Sequence, residues 1–147
     1  VTDRTGKKVA SGNYSVTYSN NKNVGEAAAT VTFKNNYTGS IKKTFRIQPK
    51  GTSLSKVSPK AKGITVNWKK QAVQTSGYQI QYSENSKFKG NTTKLVKIGK
   101  NKTVSKAVSG LKAGKKYYVR IRTYTMVNGK KTAIYSSWSQ SKNIRTR

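Results

Sequence analysis

The stretch that decides the fold is LKAGKKYYVRIRTY, residues 111–124, where a turn is followed at a fixed distance by a strictly alternating segment. Such a two-residue period predicts a half-buried β-strand with an apolar inner face and an aromatic, cationic outer face. The residues predicted to face inward are Tyr117, Val119, Ile121 and Thr123. Those predicted to face outward are Tyr118, Arg120, Arg122 and Tyr124.

Short alternating segments separated by Gly, Asn and Ser occur along the whole chain and predict an all-β, antiparallel fold. The predicted strands cover residues 14–18, 27–33, 41–47, 54–59, 64–68, 78–82, 95–98, 104–108, 117–124 and 135–139, with a last strand around Ile144. A short hairpin is expected around Gly6. The pair Asn128-Gly129 predicts a two-residue hairpin turn.

The chain of 147 residues has room for one large or two small domains. The segment QPKGTS, residues 48–53, contains one of the two prolines and is the only linker candidate. We therefore predict two small antiparallel β-sandwich modules in tandem, residues 1–49 and 50–147. Because the sequence begins at Val1 without a methionine, we expect a fragment of a longer protein.

The residues that most catalytic sites require are scarce. Without cysteine or histidine, the chain has no disulfide, thiol or imidazole chemistry, and its acidic residues are only Asp3, Glu26 and Glu84. Glycoside hydrolysis usually needs a pair of carboxylates, and calcium sites need several oxygen ligands, including carboxylates. We predict no catalytic residues, no metal site and no cofactor. No apolar run is long enough to span a membrane.

The net charge of +28 is the most unusual global property. Residues 1–49 carry 8 basic and 2 acidic residues, or +6, whereas residues 50–147 carry 23 basic and 1 acidic, or +22. A field of this strength attracts anionic polymers such as cell-wall polymers, acidic glycans or nucleic acid. The alternative interpretation is a solubilising coat of lysines on exposed strand positions.

The order of residues in the first part is recognisable. Residues 12–47, GNYSVTYSNNKNVGEAAATVTFKNNYTGSIKKTFRI, resemble the C-terminal half of a bacterial immunoglobulin-like repeat of large Gram-positive surface proteins. The usual repeat has further strands ahead of the matching part. The resemblance therefore implies that residues 1–49 are a module truncated at its N-terminus, with an open edge able to pair with another chain.

The second part resembles a fibronectin type III module over roughly residues 51–147. The matching fragments are GITVNWKK, SGYQIQYS, LKAGKKYYVRIRTY and SSWS. The resemblance implies a tyrosine corner, in which Leu111 precedes a turn and the Tyr117 hydroxyl bonds to backbone near that turn. It also implies that Trp138 of the SSWS segment intercalates between Arg120 and Arg122 as a cation–π ladder.

Two interpretations of the outer face remain open at this stage. Tyr118, Arg120, Arg122, Tyr124 and Trp138 form either a structural ladder or a platform for a glycan or polyanion. We predict a non-catalytic structural, adhesion or spacer module of a bacterial cell-surface or secreted protein. The alternative is a polyanion- or glycan-binding accessory module attached to a larger enzyme or adhesin. Expected partners are anionic polymers or glycans, a host surface protein, and neighbouring domains of the full-length chain.

Overall fold

The computed structural model describes residues 1–147, which divide into two compact units, Val1–Ile47 and Gln48–Arg147. The strands of both units pair antiparallel, so the predicted all-β antiparallel fold is confirmed. The one helical element is a 3-10 turn at Ser11–Asn13. No helix has the length and apolar character needed to cross a membrane.

The first unit is a single three-stranded sheet rather than a sandwich. Its strands, in the order in which they pair, are β1 (Tyr14–Ser19), β2 (Gly25–Phe33) and β3 (Ser40–Ile47). The N-terminal residues form the short hairpin predicted around Gly6, in which Thr2 pairs with Lys8 and Gly6 has a φ of +84°. A positive φ suits glycine, because it has no Cβ to clash with the backbone.

One face of this sheet is apolar and partly open. The register places Val16 and Ile41 on either side of Val31, so their side chains lie on the same face. Val16 is 39% exposed and Ile41 is 46% exposed. Val16 and Ile41 are therefore largely uncovered, whereas Ala27, on the same face of β2 as Val31, is only 1% exposed.

The second unit is a sandwich of two antiparallel sheets. The smaller sheet has the order β4-β5-β8, and the larger has the order β10-β9-β6-β7 with β11 also paired to β9. The strands are β4 (Leu54–Lys60), β5 (Gly63–Trp68), β6 (Gly77–Ser83), β7 (Lys94–Ile98), β8 (Ser105–Ser109), β9 (Lys116–Val127), β10 (Thr132–Tyr135) and β11 (Lys142–Arg145).

The core of the second unit lies between its two sheets and contains the inward residues of β9. Val119 and Ile121 are completely buried, and Leu111 and Tyr117 belong to the same cluster. The remaining buried members are Leu54, Ile64, Val66, Trp68, Tyr78, Ile80 and Val108. Burying such side chains is the main favourable contribution to folding, at about 1.5–3 kcal/mol for each large one.

Two local predictions differ from the structure in detail. The strand predicted to end at Pro59 continues to Lys60 as β4. Proline has no N–H to donate to a neighbouring strand, and this is tolerated because β4 lies at the edge of its sheet. The hairpin after β9 has four loop residues, not two. Asn128, Gly129 and Lys130 all have positive φ, and the Lys131 N–H donates to the Val127 carbonyl at 3.1 Å.

Part of the predicted linker is held by hydrogen bonds within the second unit. The Lys50 carbonyl accepts a hydrogen bond from Thr123 Oγ1 at 2.8 Å. The Ser53 carbonyl accepts one from the Lys69 N–H at 3.0 Å. Residues 50–53 are therefore tied into the second unit.

We expect acid to loosen the N-terminal hairpin. Asp3 Oδ1 accepts hydrogen bonds from the Thr5 hydroxyl (2.7 Å) and from the Thr5 and Lys7 N–H groups. These bonds, the Thr5 hydroxyl first, lower the pKa of Asp3. A lowered pKa means that the contribution is fully present above the ordinary Asp value of about 3.9 and is lost as pH falls through the folded value. Amide shifts of Thr5 and Lys7 in an NMR titration should therefore move at pH below about 4.

The matched control for this titration is Asp3→Asn, which keeps an oxygen acceptor but cannot be protonated in this range. Its Thr5 and Lys7 amide signals should not respond to the same acid titration. A transition of equal size in the variant would contradict the assignment to Asp3.

Candidate functional site

The outer face of β9 is positioned by its pairing with β6. Arg120 lies opposite Gln81, and Arg122 lies opposite Gln79. Directly paired residues of an antiparallel sheet share a face, so each arginine has a glutamine beside it. Arg120 Nε donates to Gln81 Oε1 at 2.7 Å, and Arg122 Nε donates to Gln79 Oε1 at 2.8 Å.

The segment that follows β10 supplies the aromatic ring between the arginines. Residues 135–139 were predicted as a strand, but β10 ends at Tyr135. Ser136 then exchanges hydrogen bonds with Thr123, and Ser139 exchanges them with Ile121, with each serine hydroxyl accepting from the β9 N–H. Ser136 and Ser139 are three residues apart, whereas their partners Thr123 and Ile121 are two apart. The segment therefore contains one extra residue, which is a β-bulge. The bulge places Trp138 on the outer face.

Two guanidinium groups and three rings form one stack. We define the ladder as the five residues Phe88, Arg120, Trp138, Arg122 and Tyr135. The guanidinium carbon of Arg120 lies 4.1 Å from the Phe88 ring centroid and 4.7 Å from that of Trp138. That of Arg122 lies 4.2 Å from the Trp138 centroid and 3.9 Å from that of Tyr135. Two cations this close to one indole fit only on its opposite faces.

The arginines of the ladder remain charged. Burial lowers the pKa of Arg120, and burial is also the main reason why the pKa of Arg122 is lowered. Both groups nevertheless stay cationic at neutral pH, because the ordinary arginine value lies above 12. Glu84, the only acidic side chain of residues 48–147, is ion-paired to Lys112 at 3.1 Å. No carboxylate neutralises the ladder.

Tyr124, predicted as part of the exposed face, is buried and cannot contact a ligand. Its side chain lies on the expected side of β9 but is only 3% exposed. The residue opposite is Gly77, where an added Cβ would lie 2.9 Å from the Tyr124 hydroxyl. The glycine leaves space for the ring, which is covered by Lys97 Nζ at 4.8 Å and contacts Tyr135 at 5.9 Å between centroids.

The other predicted residues lie at the opposite end of β9. Tyr118 is half-buried, and Lys116 Nζ lies 5.4 Å from its ring centroid, outside the ladder. Tyr117 is buried beside Leu111 in the core. Its hydroxyl accepts a hydrogen bond from the Lys112 N–H at 3.2 Å and donates one to Glu84 Oε1 at 3.4 Å. This is the geometry of a tyrosine corner.

Sequence reasoning missed four residues that contact the arginines. Gln79 and Gln81 carry a readable signal, since they alternate on β6 in step with the arginines of β9. Tyr135 is close in sequence to Trp138. Phe88 has no such signal in the sequence, because it lies in a loop and contacts Arg120 from a backbone conformation with a φ of +54°. No group of three or more Asp or Glu side chains could hold a metal ion.

A model of the fibronectin type III domain matches residues 47–141, which is more than half of the chain. The chain belongs to the fibronectin type III family. The match covers strands β4 to β10 of the sandwich and the ladder, whereas β11 lies beyond it and the three-stranded sheet of Val1–Ile47 lies almost entirely outside it. No curated protein matches the chain.

Two solved structures show the same fold. The structure titled "Myokine structure" is 16% identical, with a TM-score of 0.52 over 68% of this chain and 98% of its own. The FN1–FN3 domains of chicken CNTN1 are 18% identical, with a TM-score of 0.55 over 85% of this chain and 42% of theirs. At such identities the likeness concerns the fibronectin type III fold alone.

We expect removal of the Trp138 ring to destabilise the fibronectin type III domain. Trp138→Ala deletes both indole contacts, each contributing about 0.5–1 kcal/mol, so unfolding should become easier by about 1–2 kcal/mol. Tm should fall by roughly 4–16 °C. Trp68 is buried in the same domain and reports unfolding by its fluorescence in the variant.

Trp138→Phe is the matched variant, because it keeps an aromatic face between the arginines. It should lose less stability than the alanine variant. An alanine variant as stable as the wild type would show that the stack does not stabilise the domain.

Proposed function

We propose that this chain is a non-catalytic structural segment, a spacer or adhesion module, of a bacterial cell-surface or secreted protein. In this proposal, residues 1–49 are a bacterial immunoglobulin-like module and residues 50–147 are the fibronectin type III module, arranged in tandem. Its partners are neighbouring domains of the full-length protein and, for an adhesion role, a host surface protein.

Two independent features support this proposal. Fibronectin type III domains are typically non-catalytic modules, and the family match covers strands β4 to β10 of the sandwich and the ladder. The resemblance of residues 12–47 to a surface-protein repeat adds the cellular context. The two features come from different parts of the chain.

The observation that carries the structural role is the ladder. Each arginine uses its Nε and both planar faces for contacts within the domain. These contacts connect β6, β9 and the bulged segment through side chains, in addition to the backbone pairing of the sheet. Such a connection suits a module that has to keep its shape outside the cell.

The cellular location is tested with an antibody raised against the whole 147-residue chain. We expect it to label intact cells of the source organism or to detect the antigen in the culture medium, and protease treatment of intact cells should remove the label. The control is an antibody against a cytosolic protein, which should label only permeabilised cells. Labelling of the chain solely after permeabilisation would overturn the proposed location.

A second candidate function, binding of an anionic polymer, is favoured by the charge. Residues 48–147 carry 23 basic residues and one acidic side chain, or +22, and that acidic side chain is already paired. Within about 8 Å, the Debye length at physiological salt, such a surface attracts polyanions.

Salt dependence tests this second candidate directly. The chain should bind heparin or a poly(glycerol phosphate) polymer, and the dissociation constant should rise steeply with NaCl. For about six anionic contacts, a loss near 10³-fold is expected between about 50 and 200 mM salt. Dextran, a neutral polymer, is the control. Absence of binding at the lower salt concentration would exclude this function.

A further inference from the structure

We infer that the chain binds sulfate or phosphodiester groups of an anionic polysaccharide or polyol-phosphate polymer through the outward edges of Arg120 and Arg122. The inference rests on the second candidate function above and gives it a site and a mode of recognition. In this mode the guanidinium edges bind oxyanions, and the aromatic rings only orient the guanidinium groups.

Two of the three rings of the ladder, those of Trp138 and Tyr135, are poorly available for stacking on a sugar or a base. Trp138, the largest ring, has a guanidinium group on each face. Tyr135 contacts Arg122 at 3.9 Å and the Tyr124 ring at 5.9 Å. Recognition of neutral sugars and of single-stranded nucleic acid relies on open aromatic faces. The geometry therefore disfavours both of these ligands.

The arginine edges, in contrast, are free for an anion. A guanidinium group has five N–H donors, and in Arg120 and Arg122 the Nε–H is donated to a glutamine. The two Nη groups of each arginine form no hydrogen bond within the chain. These four N–H donors are therefore not used by other groups of the chain, and a guanidinium group binds sulfate or phosphate bidentately through such N–H donors.

The ladder also lowers the entropic penalty of binding. A free arginine side chain loses rotamer freedom when it binds an anion, whereas these two are already stacked and held by a glutamine. Since they are alternate residues of one strand, their backbones lie about 7 Å apart. The site therefore presents two oriented anion-binding groups on one rigid strand.

Neighbouring residues on the same face add positive charge without competing for the arginines. Lys97 lies opposite Gln79 on β7, so Lys97, Gln79 and Arg122 form one row across three strands. Glu84, the one acidic side chain of this unit, is held by Lys112 and by the Tyr117 hydroxyl. No internal carboxylate has to be displaced before an external anion binds.

The test compares the whole chain with two double variants in binding to heparin and to poly(glycerol phosphate) at about 150 mM salt, near physiological ionic strength. Arg120→Lys with Arg122→Lys preserves the net charge of +28 but removes both planar forks. We expect its affinity to fall by at least about tenfold, the loss typical of hydrogen bonds to charged groups.

The control variant is Lys56→Gln with Lys60→Gln, on exposed positions of β4 in the smaller sheet. It removes two positive charges and leaves the ladder unchanged, so its affinity should change by less than about threefold, as for an isolated surface charge. Folding of all proteins is checked by near-ultraviolet circular dichroism and fluorescence. If the arginine variant does not fold, the binding site is tested instead by NMR of the wild type with added polymer. Polymer should then shift the side-chain signals of Arg120 and Arg122 more than those of Arg145 and Arg147.

The outcomes separate this inference from the function on which it rests. If the wild type binds neither polymer even at about 50 mM salt, the anionic-polymer function is wrong. If it binds and the folded arginine variant binds equally well, the function stands and the site is wrong. A larger effect of the Lys56 and Lys60 changes would place binding on the other sheet. Preference for single-stranded DNA over both polymers would overturn the proposed ligand class, a polysaccharide or polyol-phosphate polymer.

Discussion

The burial of Val119 and Ile121 between the two sheets of the second unit is the packing on which the rest of this unit depends. Side chains of a strand alternate between its faces, so burying these two places Arg120 and Arg122 outward on the same strand. A register shift of one residue would bury both guanidinium groups and expose both aliphatic side chains. The core therefore specifies the register, and the register builds the ladder.

The ladder shows how a domain with a single acidic side chain can partly bury two arginines. Removing charge from water is unfavourable unless other interactions replace hydration. Here the replacement comes from Gln79 and Gln81 at the Nε atoms and from rings over the planar faces, not from carboxylates. Both arginines stay charged because arginine does not lose its proton in proteins, and these contacts make their partial burial tolerable. The same side chains can stabilise the domain and attract an anion.

The features that follow from strand periodicity could be predicted from the sequence. Those that depend on contacts between residues far apart in the chain could not. Alternation was enough to predict the faces of β9. It also assigned Tyr124 to the exposed side, and it could not show that Gly77 on the neighbouring strand leaves room for the ring. Residues 136–139 were predicted to be part of a strand but form a bulge. The hydroxyls of Ser136 and Ser139 accept hydrogen bonds from N–H groups of β9, in place of the backbone carbonyls of a regular strand. Phe88 depends on a loop conformation that no local pattern indicates.

The first unit illustrates the same limit in a different way. Its strands alternate as regularly as those of the second unit, yet Tyr18 and Phe45 are 60% and 42% exposed. Alternation indicates which residues share a face, but not whether a second layer covers that face. The charge also differs, at +6 against +22, so an anionic polymer should be drawn to the second unit. There the rigid arginine edges, rather than total charge alone, would determine where it binds.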